Sequence, residues 1–445
     1  MTITPDNIAA LVLKHYDALP AKRKPVVRSN GLREWVPLAG IVAQDENDEL
    51  SCLSMATGMK CLPSSKVTQA QGNVLHDWHA EILAIRAFNR FVLDECKILA
   101  QGGSSKFLRR RTSDEMNNSY SGEIEAEKSW HGQPFAWRED IILHMYCSEA
   151  PCGDASMELI MDSQEDATPW EMPPEVTAAA SSSGTLPGRA YFSQLGIVRR
   201  KPARPDAPPT LSKSCSDKLA LHQITSLLSS VTSLLVSPSS AYLYSLILPL
   251  SRYSATACHR AFSSSEGGRM NSLAHLLRPS RTPTSNRGYA FRPFTISTTT
   301  SEFIFSQKQA KETAGASGIA PSNLALAWTS SGLEEATLGG VLQGRKQSSA
   351  DAKGASLASR RKMWSLAAEI VDLLSNSPLR SPFLGQDPPN RGGIDVDLRK
   401  ALCAETYGEI KQSVLLEARR GVKGEARAEA LGGWARNLGD ESFRL

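Results

Sequence analysis

The sequence predicts an α/β fold, a sheet covered by helices on both faces. Two observations carry this. Short apolar runs of strand length, at residues 35–43, 50–57, 141–147 and 324–329, alternate with stretches in which apolar residues recur at helical spacing. The bulk composition, 41% hydrophobic and 22% charged over 445 residues, is that of a folded globular chain with a large core. No internal repeat is visible.

In chain order, residues 5–19 read as a helix, with Pro5 at its start and Ile8, Leu11, Leu13 and Tyr16 as its apolar positions. Two strands, 35–43 and 50–57, are joined by the polar turn 44–49. A helix opens at Ala80, and Ile82, Ile85, Phe88 and Val92 give it a buried face. Residues 141–147 form a buried strand, and Pro151 suits a helix start, continued by 155–161. A further helix spans 213–231, and 237–250 begins in a turn and becomes a strand. Residues 291–296, 302–306 and 324–329 read as strands, and 360–374 and 407–434 as helical. Ser-, Gly- and Pro-rich stretches at 101–133, 163–184, 263–287, 347–356 and 375–393 read as mobile insertions in one domain spanning 1–445.

The stretch His76-Asp77-Trp78-His79-Ala80-Glu81 organises the rest. At the first turn of a helix, His79 and Glu81 both project off the open end into one pocket. An imidazole that holds zinc beside a free carboxylate that shuttles protons suits that geometry. Alone, the triplet also fits a His and a solvated Glu on a surface helix. Pro151-Cys152-Gly153-Asp154 and Ser214-Cys215-Ser216-Asp217-Lys218 change that reading. One His and two Cys leave one tetrahedral zinc position open, which marks a catalytic site. Cys152 and Cys215 each fall at or beside a helix start, where free amides favour the thiolate.

These three motifs, in this order, resemble the adenosine-to-inosine deaminase domain shared by double-stranded-RNA editing enzymes and eukaryotic tRNA adenosine deaminases. The resemblance runs from Thr57-Gly58-Met59-Lys60-Cys61 to Gly432-Gly433-Trp434. It implies a cytidine-deaminase-like mixed sheet, enlarged by a C-terminal α+β half and disordered insertions. It also implies one zinc ion per chain, held by His79, Cys152 and Cys215, with Glu81 as the proton relay. The expected reaction is hydrolytic deamination of adenosine to inosine, with water attacking C6 and ammonia leaving. Thr57 and Lys60 are expected at the substrate.

The family also buries inositol hexakisphosphate beneath its active site. By the same resemblance Lys218 faces that compound and Asp77 links it towards the zinc, with Arg86, Lys346, Tyr407, Lys411 and Trp434 as further ligands. For Tyr407 and Trp434 the alternative is core packing, and for Arg86, Lys346 and Lys411 a solvated surface. Leu221 and His222 stand where the editing enzymes carry Arg-Trp.

The remaining residues have plainer readings. Cys52, Cys61 and Cys147 are expected as small core residues, and His144 as a packed histidine. Arg109–Arg111 and Arg199–Lys201 are expected as RNA contacts or solvated loop charges. The net charge of +4 is a mild bias that does not itself point to nucleic acid. Eight scattered cysteines suit a reducing compartment. The most apolar stretch, 241–250, is far short of the roughly 20 residues of a membrane span. An intracellular soluble protein, nuclear or cytoplasmic, is therefore expected, with no membrane and no obligate protein partner.

Substrate choice within the family rests on two substitutions. Ser183 stands where the editing enzymes fill the vacated duplex space with Glu, and Ser156 where they place an RNA-contacting Arg. Both suit a base that is already exposed. The expectation is a tRNA substrate, the adenosine 3′ of the anticodon in alanine tRNA. A double-stranded-RNA editing enzyme and a catalytically inactive RNA-binding relative are the alternatives.

Overall fold

The computed structural model describes residues 3–117, 132–164, 168, 186–187, 192–201, 207–277, 288–347, 351–376 and 391–445. Its centre is an eight-stranded mixed sheet. The strands are β1 (Leu38–Gln44), β2 (Leu50–Thr57), β3 (Ile142–Cys147), β4 (Leu243–Pro249), β5 (Thr295–Thr299), β6 (Leu324–Thr329), β7 (Glu334–Leu338) and β8 (Val341–Leu342). Their spatial order is β5-β4-β3-β1-β2-β6-β7-β8. β3, β4 and β5 run parallel, as their long crossovers require, and the other neighbours pair antiparallel.

Both faces are covered, so β1 is apolar at nearly every position. Ala39, Ile41 and Ala43 enter the core beneath α2 (Ala80–Ala100), while Leu38 and Val42 enter a second core beneath α1 (Pro5–Asp17). Leu83, Phe88, Phe91 and Val92 of α2 are buried against the sheet. Each such side chain contributes about 1.5–3 kcal/mol. α1 starts in a capping box between Thr4 and Asn7. It lies so close to β1 that a Cβ on Gly40 would meet Val12 Cγ1 at 2.7 Å.

After β3 come α3 (Met157–Asp162) and α4 (Cys215–Thr225). Between β4 and β5 lies α5 (Ala255–Phe262), followed by the 3-10 helix Arg269–Leu277. The C-terminal part adds α6 (Arg360–Asn376), α7 (Arg391–Leu402), α8 (Tyr407–Gln412) and α9 (Glu417–Glu429). α6 packs on α2 and α9 packs on α4.

Several sequence expectations need correction. Residues 302–306 are no strand: Phe303 turns inward to an edge contact with Tyr16, with ring centroids 4.9 Å apart. The strand expected at 291–296 sits later, at Thr295–Thr299. The expected helix 407–434 breaks at Ser413, whose hydroxyl caps the 3-10 turn Val414–Leu416. The insertions are more ordered than their composition suggests. Within 101–133, Leu108–Arg110 pairs with Phe135–Trp137 and Ser113–Asn117 is helical. Within 263–287, Met270 and Leu273 are buried. Within 347–356, Ala352–Gly354 forms a 3-10 turn. Residues 118–131, 278–287, 348–350, 377–390 and most of 163–184 lie outside the described residues.

Candidate active site

Three chain segments meet at the open end of α2. His79 is its N-cap residue, with extended backbone, and its side chain makes no capping bond, so the imidazole is free to face outward. Residues 76–80 run antiparallel to 58–62: the Ala80 amide donates to the Gly58 carbonyl at 2.9 Å, and the Trp78 amide to the Lys60 carbonyl at 3.0 Å. Gly58 makes this approach possible. Its φ is +143°, and a Cβ there would sit 2.1 Å from the Trp78 carbonyl oxygen.

Cys152 lies on the loop after β3, and Cys215 opens α4 behind its cap Ser214. The two loops are stitched together. The Cys215 amide donates to Cys152 Sγ at 3.4 Å, the Ser216 amide to the Cys152 carbonyl at 3.0 Å, and Ser216 Oγ to the Pro151 carbonyl at 2.9 Å. Gly153, at φ +103°, passes where a Cβ would strike Ser214 Oγ at 2.3 Å.

The ligand atoms of His79, Cys152 and Cys215 all lie within 4.8 Å of one another. Cys152 Sγ is 3.8 Å from His79 Nδ1. The hydrogen bond from the Cys215 thiol, with the Lys201 and His79 charges, holds Cys152 well below the ordinary thiol range despite burial. Burial, then the Cys152 thiolate, pushes Cys215 up. Burial and Lys201 act to lower His79, but the Cys152 thiolate and hydrogen bonds with Cys152 and Cys61 carry it up to about 10. A buried pocket that draws a proton onto its imidazole calls for a cation. Two cysteine sulfurs and one imidazole nitrogen are a donor set that fits zinc. Glu81, buried two residues beyond His79, has its carboxyl pushed up by burial and then by the Cys152 thiolate.

Asp77 lies behind the ligands. Its carboxylate accepts from Lys201 Nζ at 2.9 and 3.2 Å, Ser212 Oγ at 2.7 Å, the His79 amide at 3.0 Å, and Lys218 Nζ. Burial works against its charge, but Lys201 and Lys218 hold it well below the usual carboxylate range. Lys201 Nζ also donates to Cys215 Sγ at 3.2 Å. Sequence reading missed this lysine, taking Arg199–Lys201 for RNA contacts or solvated charges. Arg199 and Lys201 are 1% and 5% exposed. The short pairing of Arg199–Arg200 with Leu186–Pro187 turns alternate side chains inward, a signal too brief to read in advance. Arg109 and Arg111 are likewise engaged with protein, on Glu115 and Glu139 and on the Gln133 carbonyl.

Beyond Asp77, α9 lays a row of cations against α4. Burial, then Arg419, Arg427, Lys411 and Lys213, pushes the Lys423 ammonium well below its ordinary range. Burial, then Lys218 and Arg427, brings Lys213 down to about 7. Lys213 and Arg427 both stand over the Trp434 ring, at 5.6 and 5.4 Å, and Lys411 over Tyr407 at 6.0 Å. Arg86 donates to the Ala358 carbonyl at 2.9 Å and is lowered to about 10 by burial and then Arg360.

Residues near the C-terminus close the same region. Asp440 accepts from the Gly72 amide at 2.8 Å and from His76 Nε2 at 2.8 Å, and Arg360 lies 3.3 Å away. Burial, then Arg360, lowers His76 to about 4.

Of the other expected residues, Thr57 is buried, and its hydroxyl accepts from the Leu326 amide at 3.2 Å. Lys60 is exposed and bonded to Asn323. Lys346 is exposed, unlike the buried cations around Lys423. Cys61 is not a plain core residue, since its sulfur lies within 4.8 Å of ligand atoms of Asp77 and His79. Cys52 and Cys147 are buried, and His144 is packed between Ser245 and Gln44 at 2.8 and 2.9 Å. Ser156 is buried with its hydroxyl on the Gly153 carbonyl at 3.1 Å, and Ser183 lies outside the described residues. Among the described residues no helix is long and apolar enough to cross a membrane.

Comparison with known proteins agrees with this geometry. A relative from Schizosaccharomyces pombe, named tRNA-specific adenosine deaminase 1, is 36% identical over 375 residues, covering 83% of this chain and 86% of its own. One of the same name from Saccharomyces cerevisiae is 34% identical over 229 residues, covering 50% and 53%. A Drosophila melanogaster double-stranded RNA-specific editase is 29% identical over 224 residues, covering 47% and 29%. Residues 54–438 match the adenosine-deaminase (editase) domain, a span that contains His79, Glu81, Cys152 and Cys215, and the chain belongs to that family.

Proposed function

We propose that this chain is a zinc-dependent deaminase that converts adenosine to inosine in tRNA. One observation carries the reading: His79, Cys152 and Cys215 converge on one buried point, with Glu81 electrostatically coupled to the same thiolate. Zinc held there supplies a Lewis acid that makes water nucleophilic near neutral pH. Glu81 takes a proton from the attacking water and delivers it to the C6 nitrogen. The C6–N bond breaks, ammonia leaves and the C6 carbonyl of inosine remains. Lys201 donates to Cys215 Sγ and fixes Asp77, whose oxygen in turn holds the His79 amide. The protein should carry about one zinc per chain, and Cys215→Ala should lose it.

The names of the relatives support a tRNA substrate, and we place the reaction at the adenosine 3′ of the anticodon in alanine tRNA. An exposed loop base costs less to extrude than a paired one. The test is inosine formation in an alanine tRNA transcript beside a long perfect RNA duplex. Faster reaction on the duplex would overturn the tRNA assignment and leave the zinc chemistry standing.

Inositol hexakisphosphate is the second ligand of this reading. Lys213, Lys423, Arg419 and Arg427 repel one another in a partly buried cluster with little acidic compensation. A bound polyanion would relieve that repulsion and let the lysines keep their protons. Lys218 joins that cluster to Asp77, Lys411 with Tyr407 and Trp434 border it, and Arg86 lies beside Asp77 and Tyr407. Lys346, exposed, is the weakest member of the proposed set.

A further inference from the structure

Each cysteine of the site is followed two residues later by an aspartate with no exposed surface: Asp154 after Cys152 and Asp217 after Cys215. Both carboxylates are held by arginines of one short segment. Arg260, on α5, places Nε 3.1 Å from each oxygen of Asp154 and Nη2 3.1 Å from the Asp154 carbonyl. It also reaches Glu158 on α3, at 2.5 and 2.9 Å. Arg269, at the start of the following 3-10 helix, donates Nη1 to Asp217 Oδ1 at 2.6 Å. Its Nε donates to the Ala261 carbonyl at 2.9 Å, so Arg269 grips α5 as well. The second oxygen of Asp217 accepts from the Arg199 amide at 3.0 Å and Ser214 Oγ at 2.6 Å.

The geometry points to a clamp in which Arg260 and Arg269 are positioning residues that set the separation of the Cys152 and Cys215 sulfurs, and so the hold on zinc. This inference rests on the zinc reading above. The physical argument has three parts. A buried carboxylate keeps its charge only when paired, so each Asp must stay on its Arg. A guanidinium fork fixes direction as well as distance, which a lysine ammonium does not. Both forks belong to one piece of chain tied together at Ala261, so a shift of one cysteine loop relative to the other strains both pairs. Neither arginine needs to touch the metal, because each acts through its aspartate. Outer partners of this kind change metal affinity by about 10–100-fold.

The test is the rate of zinc release from purified full-length protein to a chromogenic chelator. Arg260→Lys and Arg269→Lys keep a cation beside each buried carboxylate and lose the fork. Each should release zinc about tenfold faster than the parent, with cooperative melting retained, and the double variant faster still. Lys97→Ala, in an exposed pair with Glu369, is the control and should release at the parental rate. Where a lysine variant does not fold, Asp154→Asn replaces it, and the same acceleration is expected. Variants that melt earlier yet release zinc within twofold of the parent would show that the arginines only stabilise the fold, and would overturn the clamp. A folded parent without zinc would instead overturn the zinc reading itself.

Discussion

Asp77→Asn isolates the link between the two proposed ligand sites. Asparagine keeps the shape but removes the charge, and turns one acceptor into a donor facing Lys201 and Lys218. Lys201 is almost fully buried, so its ammonium loses its bonded carboxylate partner. Breaking a buried pair from one side costs about 3–5 kcal/mol. With about 2.1 cal/mol/K of unfolding entropy per residue, a 4 kcal/mol loss lowers Tm by about 4 °C for the 445-residue chain. Adding Lys218→Met removes one orphaned cation and should restore about 0.5–3 kcal/mol as a coupling energy. The assay is denaturant unfolding of the parent, both single variants and the double. A change within about 0.5 kcal/mol for Asp77→Asn, the scatter of neutral surface substitutions, would refute the argument. The pH dependence follows from the sign of the shift. Because Asp77 is held below its ordinary value of 3.8, its stabilisation is complete above that pH and is lost as the pH falls towards the folded-state value. Asp77→Asn should therefore flatten the parent's acid unfolding curve.

Three further outcomes are expected. Glu81→Gln should retain zinc and fold but lose about 10²–10⁴-fold in deamination rate, measured by single-turnover inosine formation. Gly58→Ala forces a Cβ against the Trp78 carbonyl and should cost at least about 1–3 kcal/mol in denaturant unfolding, with looser zinc because Gly58 also holds the Ala80 amide. Lys213, brought to about 7 by burial and its cationic neighbours, must regain its proton to face phosphate. Calorimetric affinity for inositol hexakisphosphate should accordingly fall by up to about tenfold per pH unit above that value.

What could be read from the sequence follows from the range of each signal. The sheet's central strands, α1 and α2 are written in local apolar periodicity, and their bounds differ from expectation by a few residues. His79, Cys152 and Cys215 were legible because each sits in a short motif at a helix start. Lys201 was not, because a buried lysine and a solvated one have the same neighbours in sequence. What buries Lys201 is Asp77, 124 residues away. Arg269 was hidden inside the stretch 263–287, whose Ser and Gly content suggested a loose loop, and Arg260 lies just before that stretch with no motif around it. The cation cluster was half visible: Lys218 and Trp434 stood out, while Lys213, Lys423 and Arg427 emerge only once α9 is laid on α4.

The bonds from Asp440 to Gly72 and His76 have a consequence for biosynthesis. The partners are 368 and 364 positions apart, so the segment carrying His76 and His79 waits for a residue made much later. At about 5–20 residues per second, a ribosome leaves roughly 20 to 70 s between the emergence of His76 and that of Asp440. Throughout that interval the sheet strands on either side of the motif are available while the contacts that close it are not. These contacts therefore form only after Asp440 has emerged, and nascent chains stalled before it should sediment with holding chaperones instead of as compact monomers. Ribosome-bound chains of graded length, probed by limited proteolysis, would locate that step.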